Sequence, residues 1–245
     1  MQLLSTPSVM DHHAIQLEQG YRSLPPLDAT FEAWYRSESR EVSDALSLRE
    51  QQLGVATLSS MSLRLLYEIA SQFVDDLHLR IHWHKASQSA AEMQAVLPKN
   101  VLVQKTVSVE MAGKLLLWTC VGKREVEVAQ RRAVAMSLGL PLRAAKQCSI
   151  NSPTCSPEEE FAMMRGMVSP FLPPQRPNRL TAVVLVPWPL EWEYQGKEVA
   201  VSLSLFESLV LPLSCFRTIL RQYAMRAYAK NVLWIELPSE EWNLD

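Results

Sequence analysis

The chain has 245 residues, of which 48% are hydrophobic and 20% charged, and these ordinary values exclude a disordered or collagen-like chain. Its 24 basic and 26 acidic residues nearly balance, giving a formal net charge of −2. Only 7 residues are glycine, and neither the G-x-G-x-x-G nor the G-x-x-x-x-G-K-[ST] motif occurs. The sequence therefore disfavours two large classes of nucleotide-binding enzyme.

No apolar run reaches the roughly 18 residues that a membrane-spanning helix needs, so no membrane association is expected. Residues 1–20 lack both the basic start and the apolar stretch of a secretory signal. The cysteines occur without C-x-x-C spacing, at Cys120, Cys148, Cys155 and Cys215. This pattern is typical of reduced thiols, and we predict a cytoplasmic protein.

Residues 1–55 are polar and acidic, with eight acidic residues against four arginines. We interpret them as a mostly helical extension, with one helix starting at Asp28. Residues 56–245 are predicted to form the main domain.

The main domain shows alternating helix and strand signals. Apolar residues recur at helical spacing from Met61 to Phe73, and apolar and polar residues alternate from Leu77 to His84, which predicts a helix and then a strand. The further predicted elements are a helix at 89–97, a hairpin of strands 101–109 and 114–121, helices at 125–138 and 156–166, strands at 180–186 and 197–205, a helix at 213–228 and a strand at 232–237. Because no βαβ repeat appears, we predict an α+β fold with a mixed sheet and surrounding helices.

Positive charge is concentrated in residues 99–147, which hold nine basic and three acidic residues, a local balance of +6. Such a segment suits a phosphate-bearing partner, since lysine and arginine displace counterions from nucleic acid. The candidate nucleic-acid contacts are Lys123, Arg124, Arg131 and Arg132. The alternative is an ordinary solvated helix face.

Three histidines, His78, His82 and His84, fall on one face of the predicted strand. Two such imidazoles are able to form half of a zinc site, and a zinc hydrolase is one alternative function. No Cys, Asp or Glu stands at clear partner spacing, so we assign no metal ligands.

Two further features indicate a binding site. Lys105 lies inside the apolar strand Val101–Val107, where an amine must reach solvent or meet an anion. Arg165–Phe171 contains Gly166 and Pro170, which fix a bend that is able to aim backbone N–H groups at a ligand oxygen. The alternative is a helix end followed by an ordinary turn.

Four stretches in chain order carry a family resemblance. His84–Glu92 has a histidine followed by Ser-x-x-Glu at the start of a short helix. Gln104–Val107 resembles a "vKTl" strand, Leu115–Val126 a strand, turn and helix, and Gly166–Phe171 a "G-x-V-S-P-F" loop. Together they resemble the YbaK/prolyl-tRNA-synthetase insertion-domain family of aminoacyl-tRNA deacylases.

The resemblance implies a trans-editing hydrolase that cleaves the ester of a mischarged tRNA without a metal or other cofactor. Its partners would be aminoacylated tRNA and an aminoacyl-tRNA synthetase. The resemblance assigns catalytic roles to Lys105, Gly166 and Pro170, and substrate contacts to His84, Met167, Val168 and Ser169. Lys105 and the loop 166–170 are then expected to meet in one cleft.

The sequence departs from this family after the loop. The family strand carries an acidic residue where Ala182–Pro187 reads Ala-Val-Val-Leu-Val-Pro. This difference favours a second reading, a non-catalytic member of the same fold that binds tRNA, a synthetase or another protein.

Overall fold

The computed structural model describes residues 22–23, 60–74, 79–84, 89–122, 126–150, 160–161, 168–172, 179–203, 207–228 and 231–238. Most of the predicted extension, including the helix expected from Asp28, lies outside the described residues. So do the greater part of the helix predicted at 156–166 and the candidate residues Lys123, Arg124, Gly166 and Met167.

The described residues form one mixed sheet with helices on both sides, which confirms the predicted α+β class. Its strands are β1 (Arg22–Ser23), β2 (Arg80–Trp83), β3 (Val101–Met111), β4 (Lys114–Val121), β5 (Ser149–Ile150), β6 (Leu180–Leu185), β7 (Glu198–Ser202), β8 (Glu207–Pro212) and β9 (Leu233–Glu236). Their order is β1-β2-β8-β7-β3-β4-β6-β9, and β5 pairs with β3. β3 is parallel to β7, and β6 is parallel to β4 and β9, whereas the other pairs are antiparallel.

The helices are α1 (Ser60–Ala70), α2 (Ala90–Val96), α3 (Val128–Ser137), α4 (Arg143–Lys146), α5 (Leu190–Tyr194) and α6 (Leu213–Ala227). Two of the helix ends have well-defined caps. The Ser89 hydroxyl accepts a hydrogen bond from Glu92 N at the start of α2. After α3, Gly139 adopts a φ of 66°, and Leu140 N donates to Ala135 O at 2.8 Å. No helix among these residues is long and apolar enough to cross a membrane.

β3 and β4 form the predicted hairpin. Ala112 and Gly113 connect them with φ values of 51° and 76°. Positive φ at both turn residues matches the right-handed twist of the flanking strands. The resulting long ladder fixes which β3 side chains share a face, because successive side chains point to opposite sides.

The two sides of the sheet carry separate apolar clusters. On one side α1 and α6 cover residues such as Leu117, Val201 and Leu209. We call this side the α6 face. On the other side α2 covers residues such as Val103 and Val210, while α3 and α4 cover the part formed by β4, β6 and β9. We call this side the α2 face.

Sequence reasoning missed β8, which lies between β2 and β7 near the middle of one half of the sheet. The strand reads Glu-Ser-Leu-Val-Leu-Pro and ends at Pro212, directly before α6. A short apolar run of this kind does not distinguish a strand from the start of a helix. The omission matters because β8 carries Ser208 next to the histidines of β2.

Candidate functional site

A row of polar side chains crosses the α2 face over four neighbouring strands. His82 of β2 pairs with Ser208 of β8, and Ser208 pairs with Ser202 of β7. The pairing of β7 with β3 ends at Ala200 and Val103, and Ser202 and Lys105 follow two residues later on the same face. His84 also shares the parity of His82. We call His82, His84, Lys105, Ser202 and Ser208 the polar row.

His84 is anchored inside this row. Only 1% of its surface is exposed, and its Nε2 lies 3.0 Å from Ser208 Oγ. The His82 and His84 rings stack with their centroids 6.1 Å apart. Ser208 Oγ also lies 3.4 Å from Met93 Sδ, so α2 closes over the hydroxyl. The ring of His84 is thus held by strand and helix together.

Lys105 lies at the β3 end of the polar row. It is half-buried, opposite the buried Cys120 of β4. Within the described part of the chain, Lys105 has no hydrogen-bond or ion-pair partner. A partly desolvated ammonium with this environment favours an anionic or strongly polar ligand.

At the opposite end of β7, the charge on this face is neutralised internally. The Arg80 guanidinium donates to Glu198 Oε1, and Asn100 Nδ2 donates to Glu198 Oε2 at 3.0 Å. Because Arg80 and Glu198 compensate each other, Lys105 is, among the described residues of this face, the cation of the polar row that has no acidic partner.

The described part of the predicted loop, residues 168–172, packs on the α6 face. Val168 and Phe171 belong to the apolar cluster of that side. Ser169 is buried, and its Oγ accepts a hydrogen bond from Phe171 N at 3.2 Å. Pro170 is also buried, and its carbonyl accepts from the Tyr228 hydroxyl.

The structure does not bring Lys105 and this loop together on one face. Strand alternation sends Lys105 to the α2 face but Gln104 and Thr106 to the α6 face. On that face Gln104 Nε2 donates to Thr106 Oγ1, which lies 2.9 Å from Thr119 Oγ1. The lysine and threonine of the "vKTl" segment therefore serve opposite sides of the sheet. We expected Lys105 and the loop 166–170 to meet in one cleft. The described loop residues, 168–172, instead pack on the face of the sheet opposite to the Lys105 side chain.

Two of the four predicted nucleic-acid contacts, Arg131 and Arg132, lie in the described residues and differ in their exposure. Arg132 is exposed on α3, whereas Arg131 is half-buried and donates from Nε and Nη2 to Val126 O, at 3.1 and 2.7 Å. Arg131 thus secures the segment before α3. Lys123 and Arg124 lie outside the described residues.

The histidines of the predicted strand 77–84 were one candidate for metal ligands. Among the described residues, no group of three His, Cys, Asp or Glu side chains is arranged to hold a metal ion. His78, the third histidine of the pattern, falls outside those residues.

Ser202 and Ser208 are the site residues that sequence reasoning missed. Each is a small polar residue within an apolar strand, which is a signal of its own. Their meeting with His84 depends on the order β2-β8-β7, a long-range pairing that local patterns do not contain.

Comparisons with known proteins found neither a matching family model nor a matching curated protein. Among solved structures, the chain is similar to a protein provisionally described as a trans-editing enzyme for prolyl-tRNA synthetase. The TM-score is 0.41 and the identity 14%, over 74% of this chain and 100% of that one. A second similar structure is a computationally designed epitope scaffold, with a TM-score of 0.39 and 11% identity, over 75% of this chain and 99% of that one.

Proposed function

We propose that this protein is a trans-editing aminoacyl-tRNA deacylase, which hydrolyses the ester between a mischarged amino acid and its tRNA in the cytoplasm. The observation that carries the proposal is the half-buried Lys105 at the end of the polar row, with no ion-pair partner among the described residues. The order of the four sequence segments that resemble the YbaK family supports it.

Lys105 is proposed to bind the terminal phosphate or another polar group at the end of the tRNA. An aminoacyl ester is already activated, so hydrolysis needs a held acyl group, donors for the developing oxyanion and an admitted water. In this scheme the backbone of 166–170 walls the amino-acid pocket and donates to the oxyanion, with Gly166 and Pro170 fixing its bend. Met167, Val168 and Ser169 set the size of the accepted side chain.

We propose that His84, which is almost fully buried, helps to shape the entrance of the site by holding the polar row in place. Ser208 fixes the ring through Nε2.

One edge of β3 is paired with two different strands along its length. Along the edge of β3 that faces away from β4, pairing with β7 ends at Val103 and pairing with β5 begins at Val109. We propose that the aminoacyl end passes this edge, with its phosphate near Lys105 and its amino acid towards the loop 166–170. This arrangement accommodates a lysine and a loop on opposite faces.

The test is a deacylation screen against a panel of mischarged tRNAs, in which the release of labelled amino acid is measured. Wild-type protein should hydrolyse at least one member, and Lys105→Ala should lower kcat/KM by on the order of 100-fold, because misplacing the ester by about 1 Å has an effect of that size. Lys114 is also half-buried and lies in the same hairpin, so Lys114→Ala is the matched control and should retain activity. Equal losses in both variants would contradict the assignment of Lys105.

A second candidate function is a non-catalytic binding module for tRNA, a synthetase or another protein. The position of residues 168–172 on the α6 face, away from the Lys105 side chain, favours it. A wild-type protein that binds tRNA and hydrolyses none of the panel would establish this alternative.

A further inference from the structure

We infer that Tyr228, assisted by Tyr223, is a positioning residue that orients Ser169 in the proposed amino-acid pocket and so tunes which amino acid is accepted. The inference rests on the proposed function for its consequence in selectivity. The hydrogen bonds by which Tyr223 and Tyr228 hold the loop do not depend on the proposed function, and they are tested separately.

Two tyrosine hydroxyls of the α6 region hold alternate carbonyls of the loop. Tyr223 donates to Leu172 O at 2.6 Å, and Tyr228 donates to Pro170 O. Carbonyls buried in an apolar cluster need such donors, since an unpaired one is costly. The loop is therefore fixed at two points of its backbone.

The aromatic rings add a second attachment. Phe171, between the two held carbonyls, is fully buried and meets Tyr223 edge-on at a centroid distance of 4.9 Å. Phe216 contacts Phe171 at 6.3 Å, and Tyr228 contacts Tyr223 at 6.1 Å, both in edge arrangements. These perpendicular contacts are the favoured geometry for aromatic rings. They restrict the loop from rotating around its held carbonyls.

The hydrogen bond of Tyr228 reaches Ser169 through one peptide unit. The peptide between Pro170 and Phe171 is planar and trans, so its C=O and N–H point in opposite directions. Fixing the Pro170 carbonyl on Tyr228 therefore directs Phe171 N–H away from α6. That N–H donates to Ser169 Oγ at 3.2 Å and so contributes to the orientation of the serine side chain, which has a further interaction as well.

Both hydroxyls remain donors over the working pH range. Burial raises the pKa of Tyr223 and of Tyr228 above the ordinary value for tyrosine. The hydrogen bonds that hold the loop are thus maintained at neutral and mildly alkaline pH.

The test replaces each hydroxyl without removing its ring, with Tyr228→Phe and Tyr223→Phe. Tyr194→Phe is the matched control, because Tyr194 is 85% exposed. The first measurement is amide hydrogen exchange of peptides covering 168–172. Tyr228→Phe should speed exchange there by about 5- to 30-fold, the factor expected from one lost hydrogen bond, and leave the β3–β4 hairpin unchanged. Unchanged exchange in the loop would overturn the inference.

The second measurement is selectivity. In Tyr228→Phe the ratio of kcat/KM values for two mischarged tRNAs with different amino acids should shift, while the Kd for uncharged tRNA stays constant. An unaltered ratio in an active variant would overturn the role in selectivity. If wild-type protein hydrolyses no mischarged tRNA, the proposed function fails, and hydrogen exchange alone then decides whether the tyrosines position the loop.

Discussion

Ser208 illustrates how single residues organise the polar row. It has no exposed surface and stands in a strand whose next residues are Leu209, Val210 and Leu211. A hydroxyl in such a place is costly unless it is hydrogen-bonded. Its contacts with His84 and Met93 meet that need and fix the imidazole at the same time.

Ser208→Ala should therefore lower the free energy of unfolding by about 1–3 kcal/mol, since it removes a buried hydrogen-bond partner of His84. Urea denaturation measures the change. Ser214→Ala removes an exposed serine from the start of α6 and should stay within about 0.5 kcal/mol of wild type. Equal stability of the two variants would show that Ser208 does not hold His84.

Single residues also show how far sequence reasoning reaches. Alternation correctly predicted that His82 and His84 share a face, because parity within one strand is a local property. The same rule, applied to β3, separates Lys105 from Thr106. The partners of these side chains on β7 and β8 depend on strand order, which the local pattern leaves open.

At the scale of elements, α3 separates a structural arginine from an exposed one. Arg131 and Arg132 are adjacent in sequence and look equivalent as phosphate contacts. The side chain of Arg131 instead holds Val126 O, while Arg132 faces solvent. Reversing the charges of both arginines is therefore expected to affect folding as well as any contact with phosphate.

We expect Arg131→Gln to lower the free energy of unfolding by about 1–3 kcal/mol, because the Val126 carbonyl loses its donors. Arg132→Gln should change stability by less than about 0.5 kcal/mol but weaken tRNA binding and reduce the salt slope by about one. Thermal denaturation and binding titrations at several salt concentrations measure the two effects. If Arg132→Gln leaves the salt slope as in wild type, Arg132 is not a phosphate contact.

The elements that were predicted share strong local signals. α2 and α3 have clear end signals, and β3 and β4 flank a turn with glycine. The missed elements are β1, β5, β8, α4 and α5. Length alone does not explain the omission, because β2, β7 and β9 are shorter than β8 and were predicted. β8 is an apolar run that leads directly into α6, and such a run does not distinguish a strand from a helix.

At the scale of the whole molecule, the sheet supports two unlike faces, and α6 secures the loop on one of them. Tyr223, which is buried, and Tyr228, which is partly buried, make the free energy of unfolding depend on pH in the alkaline range. Their folded-state pKa values are raised, whereas tyrosine in the unfolded chain titrates near its ordinary value of about 10. Above that pH the unfolded chain releases protons that the native state retains, so unfolding becomes more favourable.

Accordingly, the free energy of unfolding should fall above about pH 10, by up to about 1.4 kcal/mol per pH unit for each such tyrosine. Tyr223→Phe should reduce this slope by one tyrosine's share, and Tyr194→Phe should leave it unchanged. Urea denaturation at a series of alkaline pH values provides the slopes. A Tyr223→Phe slope identical to that of wild type would contradict the effect of burial.

The proposed function depends on Lys105 binding the phosphate at the end of an aminoacyl-tRNA, and a thermodynamic binding cycle measures this contact. Affinities are measured by calorimetry for a non-hydrolysable aminoacyl-adenosine amide with and without a 5′-phosphate, using wild type and Lys105→Ala. Removing the phosphate should weaken binding to wild type by about tenfold or more, the scale of a charge-assisted contact, and should have little effect on the variant. An equal loss of affinity in both proteins on removal of the phosphate would contradict its binding by Lys105.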